Sequence, residues 1–98
     1  MKIVFERTGG LAGRKVEAAL DGADLPPAEA RRLKRLLRDS AFFSLPPAAG
    51  TGPRAPDGFF FRVTVDTGER THTVEAAEEM VEPSLRPLLD FLLRLTRR

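Results

Sequence analysis

The chain has no cysteine, a single histidine, His72, and no long apolar run. Without cysteine there are no disulfides and no thiolate metal sites. One imidazole cannot form a histidine cluster, and Ser-His-Asp catalysis would have to be built around His72 alone. No resident metal, cofactor or catalytic residue is therefore expected. No segment approaches the ~20 apolar residues that span a bilayer, so a membrane is not an expected partner. The opening "MKIVFERTGG" meets Glu6 and Arg7 after only three apolar residues and lacks the apolar region of a secretory signal, which points to the cytoplasm. A net charge of +2 permits nucleic-acid binding without demanding it.

What is present fits one domain, 1–98, because 98 residues support a single core and not a second. Lys2 to Arg7 and Arg14 to Leu20 both alternate, with Ile3 and Phe5 on one face of the first run and Val16, Ala18 and Leu20 on one face of the second. Joined by "TGGLAG", they read as an antiparallel hairpin. Gly22, Pro26 and Pro27 mark a turn, after which Ala30, Leu33, Leu36 and Leu37 recur at helical spacing over Pro27 to Asp39. Phe42, Phe43 and Leu45 anchor the exit before a proline pair, and "AAGTGPRAPDG" is a long surface loop.

Phe59 to Asp66 alternates again, "DTGE" turns the chain, and Arg70 to Ala76 returns as a strand. Ser84 is a plausible N-cap for a last helix, with Leu85, Leu88, Leu89, Leu92 and Leu95 along one stripe. The order is ββαββα. A two-layer α+β sandwich, a four-stranded antiparallel sheet with two helices on one face, buries every stripe.

Most polar features have a plain structural explanation. His72 lacks the partners of a ligand or general base. The first helix carries Arg31, Arg32, Lys34, Arg35 and Arg38 opposite its leucines; this is the solvated side of an amphipathic helix, and its alternative is a nucleic-acid-binding module using that arginine-rich face. Neither an aromatic platform nor helix-turn-helix spacing accompanies it, so nucleic acid is not the expected partner. Phe60 points away from its neighbours, toward either the long loop or a partner. The carboxylates of Asp66, Glu69, Glu75, Glu78, Glu79 and Glu82 fall in turns and exposed positions, unsuited to a desolvated catalytic pair.

The hairpin connection differs. One or two glycines satisfy its turn chemistry, yet Gly9, Gly10, Ala12 and Gly13 together strip side chains from both flanks of Leu11. Two readings stand on the residues alone: a glycine-rich turn, or a binding loop that lets another backbone approach while one leucine projects as an anchor.

The series "RTGGLAG" after a KI-F-E opening, then "LPPAEARRLKRLL", "FFSLP", "FRVTV", "THTV" and "LRPLLDFLLRL", in this order from Lys2 to about Leu95, resembles the emfourin-like proteins, small bacterial inhibitors of thermolysin-like metallopeptidases. The resemblance implies a cytoplasmic inhibitor and not an enzyme, with a thermolysin-like or protealysin-like peptidase as partner. Such peptidases prefer a large apolar residue just after the scissile bond, so by analogy Leu11 fills that pocket while Gly9, Gly10, Ala12 and Gly13 complete the inhibitory loop. Met1, Pro53, Arg54 and Asp57 are secondary contacts on this reading, with the Met1 amine or the Asp57 carboxylate as optional zinc ligands and simple occlusion as the alternative. The arginine-rich first helix departs from the more acidic relatives, which bears on the charge of the target.

Overall fold

The computed structural model describes residues 1–9, 14–47, 58–78 and 81–96. Strands β1 (Lys2–Gly9) and β2 (Arg14–Asp21) precede helix α1 (Pro27–Asp39), and strands β3 (Phe59–Asp66) and β4 (Thr71–Ala77) precede helix α2 (Arg86–Thr96). Single 3₁₀ turns occupy Gly22–Asp24 and Phe42–Ser44. The ββαββα order and the four-stranded antiparallel sheet agree with the expected α+β sandwich.

The strands lie in the order β2-β1-β3-β4, all antiparallel. Residues paired across an antiparallel ladder share a face, so the register generates rows. Leu20, Ile3, Val65 and His72 form one row, and Ala18, Phe5, Val63 and Val74 form the next. These rows face the helices. Ile3, Phe5, Phe61, Val63, Val65 and Val74 join Leu33 and Leu37 of α1 and Leu88, Leu89, Phe91, Leu92 and Leu95 of α2 in one buried cluster. With five such residues against two, α2 is the more deeply seated helix. Its apolar residues at i, i+3, i+4 and i+7 form a face wide enough to contact several strands.

Two local expectations change. Val16, on the core-facing side of β2, is 43% exposed. The helices cover β1, β3 and β4, and β2 supplies only the partly buried Leu20 to the core. Burial at an edge depends on how far the second layer reaches, which alternation cannot report. Helix α2 begins at Arg86, so Ser84 lies in the preceding turn. The Leu85 carbonyl accepts from the Leu89 N–H at 3.1 Å and opens the helix, leaving Pro87 in the first turn, where no amide donor is needed.

His72 has a structural role. Its Nε2 donates to the Leu45 carbonyl at 2.8 Å, and its ring packs edge-on against buried Phe42 and beside Phe43. The Glu75 N–H donates to the Pro47 carbonyl at 2.7 Å. The chain leaving α1 thus runs along the outer edge of β4, covering donors that would otherwise invite pairing with another strand.

The antiparallel register also sorts the connections by end. Gly9 pairs with both Arg14 and Phe59, while Lys2 pairs with both Asp21 and Asp66. At Gly9 the backbone has φ 129°, and a Cβ would overlap the carbonyl oxygen of Gly58 and stand 3.0 Å from the Phe59 Cα. Gly68 in the β3–β4 turn also has positive φ, 90°, but nothing lies within 4 Å of its Cβ position. Gly9→Ala should therefore cost at least about 2 kcal/mol through overlap plus strain, and Gly68→Ala about 1 kcal/mol through strain alone. Urea unfolding of both variants checks the ranking.

Candidate functional site

The β1–β2 connection, Gly10 to Gly13, lies outside the described residues, as do Pro53, Arg54 and Asp57. Their anchors are described. The β1–β2 ladder is paired as far as Gly9↔Arg14, so the connection is four residues long and starts from two hydrogen-bonded strands. Gly58, which ends the 48–57 stretch, packs its backbone on Gly9. Both connections therefore leave the same end of the sheet. The bare α-carbon of Gly9 serves its own chain, because the backbone it admits is that of Gly58.

Met1 stands at the other end. Its carbonyl accepts from the Gly22 N–H at 2.8 Å, and it lines depressions with Leu33, Lys34, Leu37 and Phe43. The eight residues of β1 separate it from the hairpin connection by about 26 Å. Met1 and Gly9 thus lie at opposite ends of β1's pairing with its neighbours, Met1 before Lys2 and Gly9 at the last pair.

Just inside the loop end lies a cluster with an unusual member. Arg7 occupies a core-facing position in the row Val16, Arg7, Phe61, Ala76. Its guanidinium lies 3.6 Å from the centroid of the Phe59 ring and 5.7 Å from that of Phe61. Its side chain is 23% exposed, and Nε is buried with no hydrogen-bond partner among the described residues. The Glu78 carboxylate is 3.9 Å from Arg7 Nη2 and 4.0 Å from Arg86 Nη1, and the Glu78 carbonyl accepts from Arg86 Nη2 at 3.2 Å. Alternation contains the signal for Arg7, since it shares the face of Ile3 and Phe5 and a cation there breaks the apolar pattern. Its partners Glu78 and Arg86 become visible only when the register, across β3, brings the end of β4 to the same end of the sheet as that of β1.

The sheet face away from the helices is polar and internally paired. Arg62 donates through Nε to Glu75 at 2.7 Å and through Nη1 to Glu6 at 3.3 Å. Lys15 bridges Glu6 at 3.6 Å and Glu17 at 3.3 Å. Thr64 and Thr73 share a hydrogen bond at 2.9 Å, while half-buried Phe60 borders a depression of about 170 Å³ with Glu6, Thr8, Lys15 and Arg62. Exposed Val4 sits among them.

Arg31, Arg32, Lys34, Arg35 and Arg38 are all exposed. Arg38 pairs with Asp39 at 3.6 Å, and Arg32 and Arg94 flank the Phe91 ring. Arg31, Arg32, Arg35 and Arg94 share a shallow depression with Glu29. Among the described residues no group of three or more metal-ligating side chains converges. No helix among them is long and apolar enough to cross a membrane.

The Lys15 ammonium is raised above its ordinary 10.5 by its hydrogen bond to Glu17, then by the charges of Glu6 and Glu17; hydrogen bonding to Glu75 likewise raises Arg62. A raised folded-state value contributes stability below pH 10.5 that is lost as pH climbs through the folded pKa. Glu17→Gln should lower the Lys15 pKa toward 10.5 and should do so more than Glu6→Gln. A ¹³C NMR titration of the Lys15 Cε measures both.

Against known families, residues 5–93 match the family model described as Emfourin, which covers nearly the whole chain. No curated protein and no solved structure matches.

Proposed function

We propose that this chain, which belongs to the Emfourin family, inhibits thermolysin-like zinc metallopeptidases by offering its β1–β2 connection to the substrate cleft. The family is an inhibitor family, consistent with action on metallopeptidases. No catalytic residue is assigned to the chain.

The observation that carries the choice of loop is the construction of its base. Two strands are paired to their last residues, Gly9 and Arg14, and the Gly58 backbone is pressed against Gly9 from β3. A connection only four residues long between paired strand ends suits a binding loop, because fixed anchors lower the ordering cost of association. Leu11 is the only large apolar side chain among the four. A leucine flanked in sequence only by glycine and alanine suits a pocket shaped for the residue after a scissile bond. Glycines on both sides leave room for the walls of a cleft that accepts extended peptides.

Inhibition in this reading is occlusion. Gly10, Leu11, Ala12 and Gly13 carry no side-chain metal ligand, so the catalytic zinc is screened from substrate and need not be coordinated. Pro53, Arg54 and Asp57 precede Gly58 in sequence and are the second contact, because the stretch that holds them returns to the sheet beside Gly9. Met1 takes no part.

With thermolysin and a chromogenic peptide, Leu11→Asp and Leu11→Gly should each weaken inhibition by roughly 30-fold or more, the loss of a central anchor. Cooperative unfolding should persist in both. A Gly-Ser extension ahead of Met1 should leave the inhibition constant as it is. Parent-like inhibition by the Leu11 variants would reject the loop mechanism.

A further inference from the structure

We infer that Arg7 and Arg86 form a receptor for a carboxylate side chain of the inhibited peptidase, an Asp or Glu beside its substrate cleft, and that Glu78 occupies this receptor in the free protein. The inference rests on the inhibitor reading and adds a second, polar recognition point to it.

The cluster is short of acceptors. A guanidinium carries five N–H donors and no acceptor. Among the described residues, the one hydrogen bond shown for either guanidinium is from Arg86 to the Glu78 carbonyl. The Glu78 carboxylate stands 3.9 and 4.0 Å from the two cations, well beyond the 2.7–2.9 Å of a charge-assisted hydrogen bond. It neutralises one of two charges and fills neither fork. The Nε of Arg7 is buried and, among the described residues, unpaired, which leaves its charge undercompensated in the free protein; a partner carboxylate meets the part of the side chain that stays 23% exposed.

The geometry is also fixed in advance. The Arg7 guanidinium carbon lies 3.6 Å from the centroid of the Phe59 ring, a cation–π contact that holds the cation in place before a partner arrives. Arg86 is tied by the Glu78 backbone, so movement of the Glu78 carboxylate does not release it. Phe59 is also the partner of Gly9 in the β1–β3 ladder, so the residue that fixes Arg7 belongs to the base of the proposed inhibitory loop. Arg7 stands two residues before Gly9 in β1 and Arg86 shares its Glu78 neighbour, which sets both cations near the base of that connection.

The test measures inhibition of thermolysin at low and high salt by the parent, Arg7→Met, Arg86→Gln and Glu78→Gln, with thermal unfolding of each. Arg7→Met keeps an apolar chain over Phe59 and removes the charge. Arg7→Met and Arg86→Gln should weaken inhibition by about 30-fold, as truncation of one partner of an interfacial charge pair does, and both should flatten its salt dependence. Glu78→Gln should tighten inhibition by removing the competing carboxylate. If Glu78→Gln weakens inhibition as the arginine variants do, the cluster is a structural ion pair and the inference is overturned. It is equally overturned if the parent inhibits while both arginine variants match it. Absence of inhibition by the parent overturns the inhibitor reading together with the inference.

Discussion

The β1–β3 ladder is the interaction on which the rest depends. Each hairpin alone has a short connection in sequence and one apolar face, and two strands are marginal in water. Pairing Ile3 with Val65 and Phe5 with Val63 fuses them into a sheet with a continuous apolar surface, which the leucines of α1 and α2 then cover. The same ladder brings the far end of β1 to the beginning of β3, where Gly9 meets Gly58. A side chain at position 9 would push apart the two strands that unite the halves. The glycine there is a requirement of the fold before it is a feature of any loop.

Charge is distributed to suit this layering. The uncovered sheet face pairs its cations and carboxylates laterally through Arg62 and Lys15, which keeps a flat surface solvated while each exposed pair contributes little stability. The helical layer turns arginines outward over its leucines. Arg7 is the exception, a cation on the helix-facing side of the sheet, with the Phe59 ring centroid 3.6 Å from its guanidinium and the Glu78 carboxylate 3.9 Å away. A cation held there, with Nε unpaired among the described residues, is undercompensated by its surroundings.

Sequence legibility followed the range of the physics involved. Proline and strict alternation act over a few residues, and α1 from Pro27 to Asp39 and β3 from Phe59 to Asp66 have the limits those signals set. The start of α2 was less legible, because Ser84 and Leu85 compete to open the helix and side-chain chemistry alone favours the serine. Exposure of Val16 was not legible, since it depends on the reach of the other layer. The separation of Met1 from the hairpin connection, and the meeting of Arg7, Glu78 and Arg86, follow from strand order and register, which no single segment encodes. The connection itself was conspicuous from composition, whereas the reason for Gly9 required the neighbour that crosses it.

Amide hydrogen exchange of the protein, free and saturated with thermolysin, tests most directly whether the loop end of the sheet is the inhibitory surface. The account predicts new protection from Thr8 to Arg14 and around Gly58 and Phe59, with Gly22–Asp24 and the turn at Gly68 unchanged. Protection confined to those latter segments, or to the exposed face of α1, would contradict it.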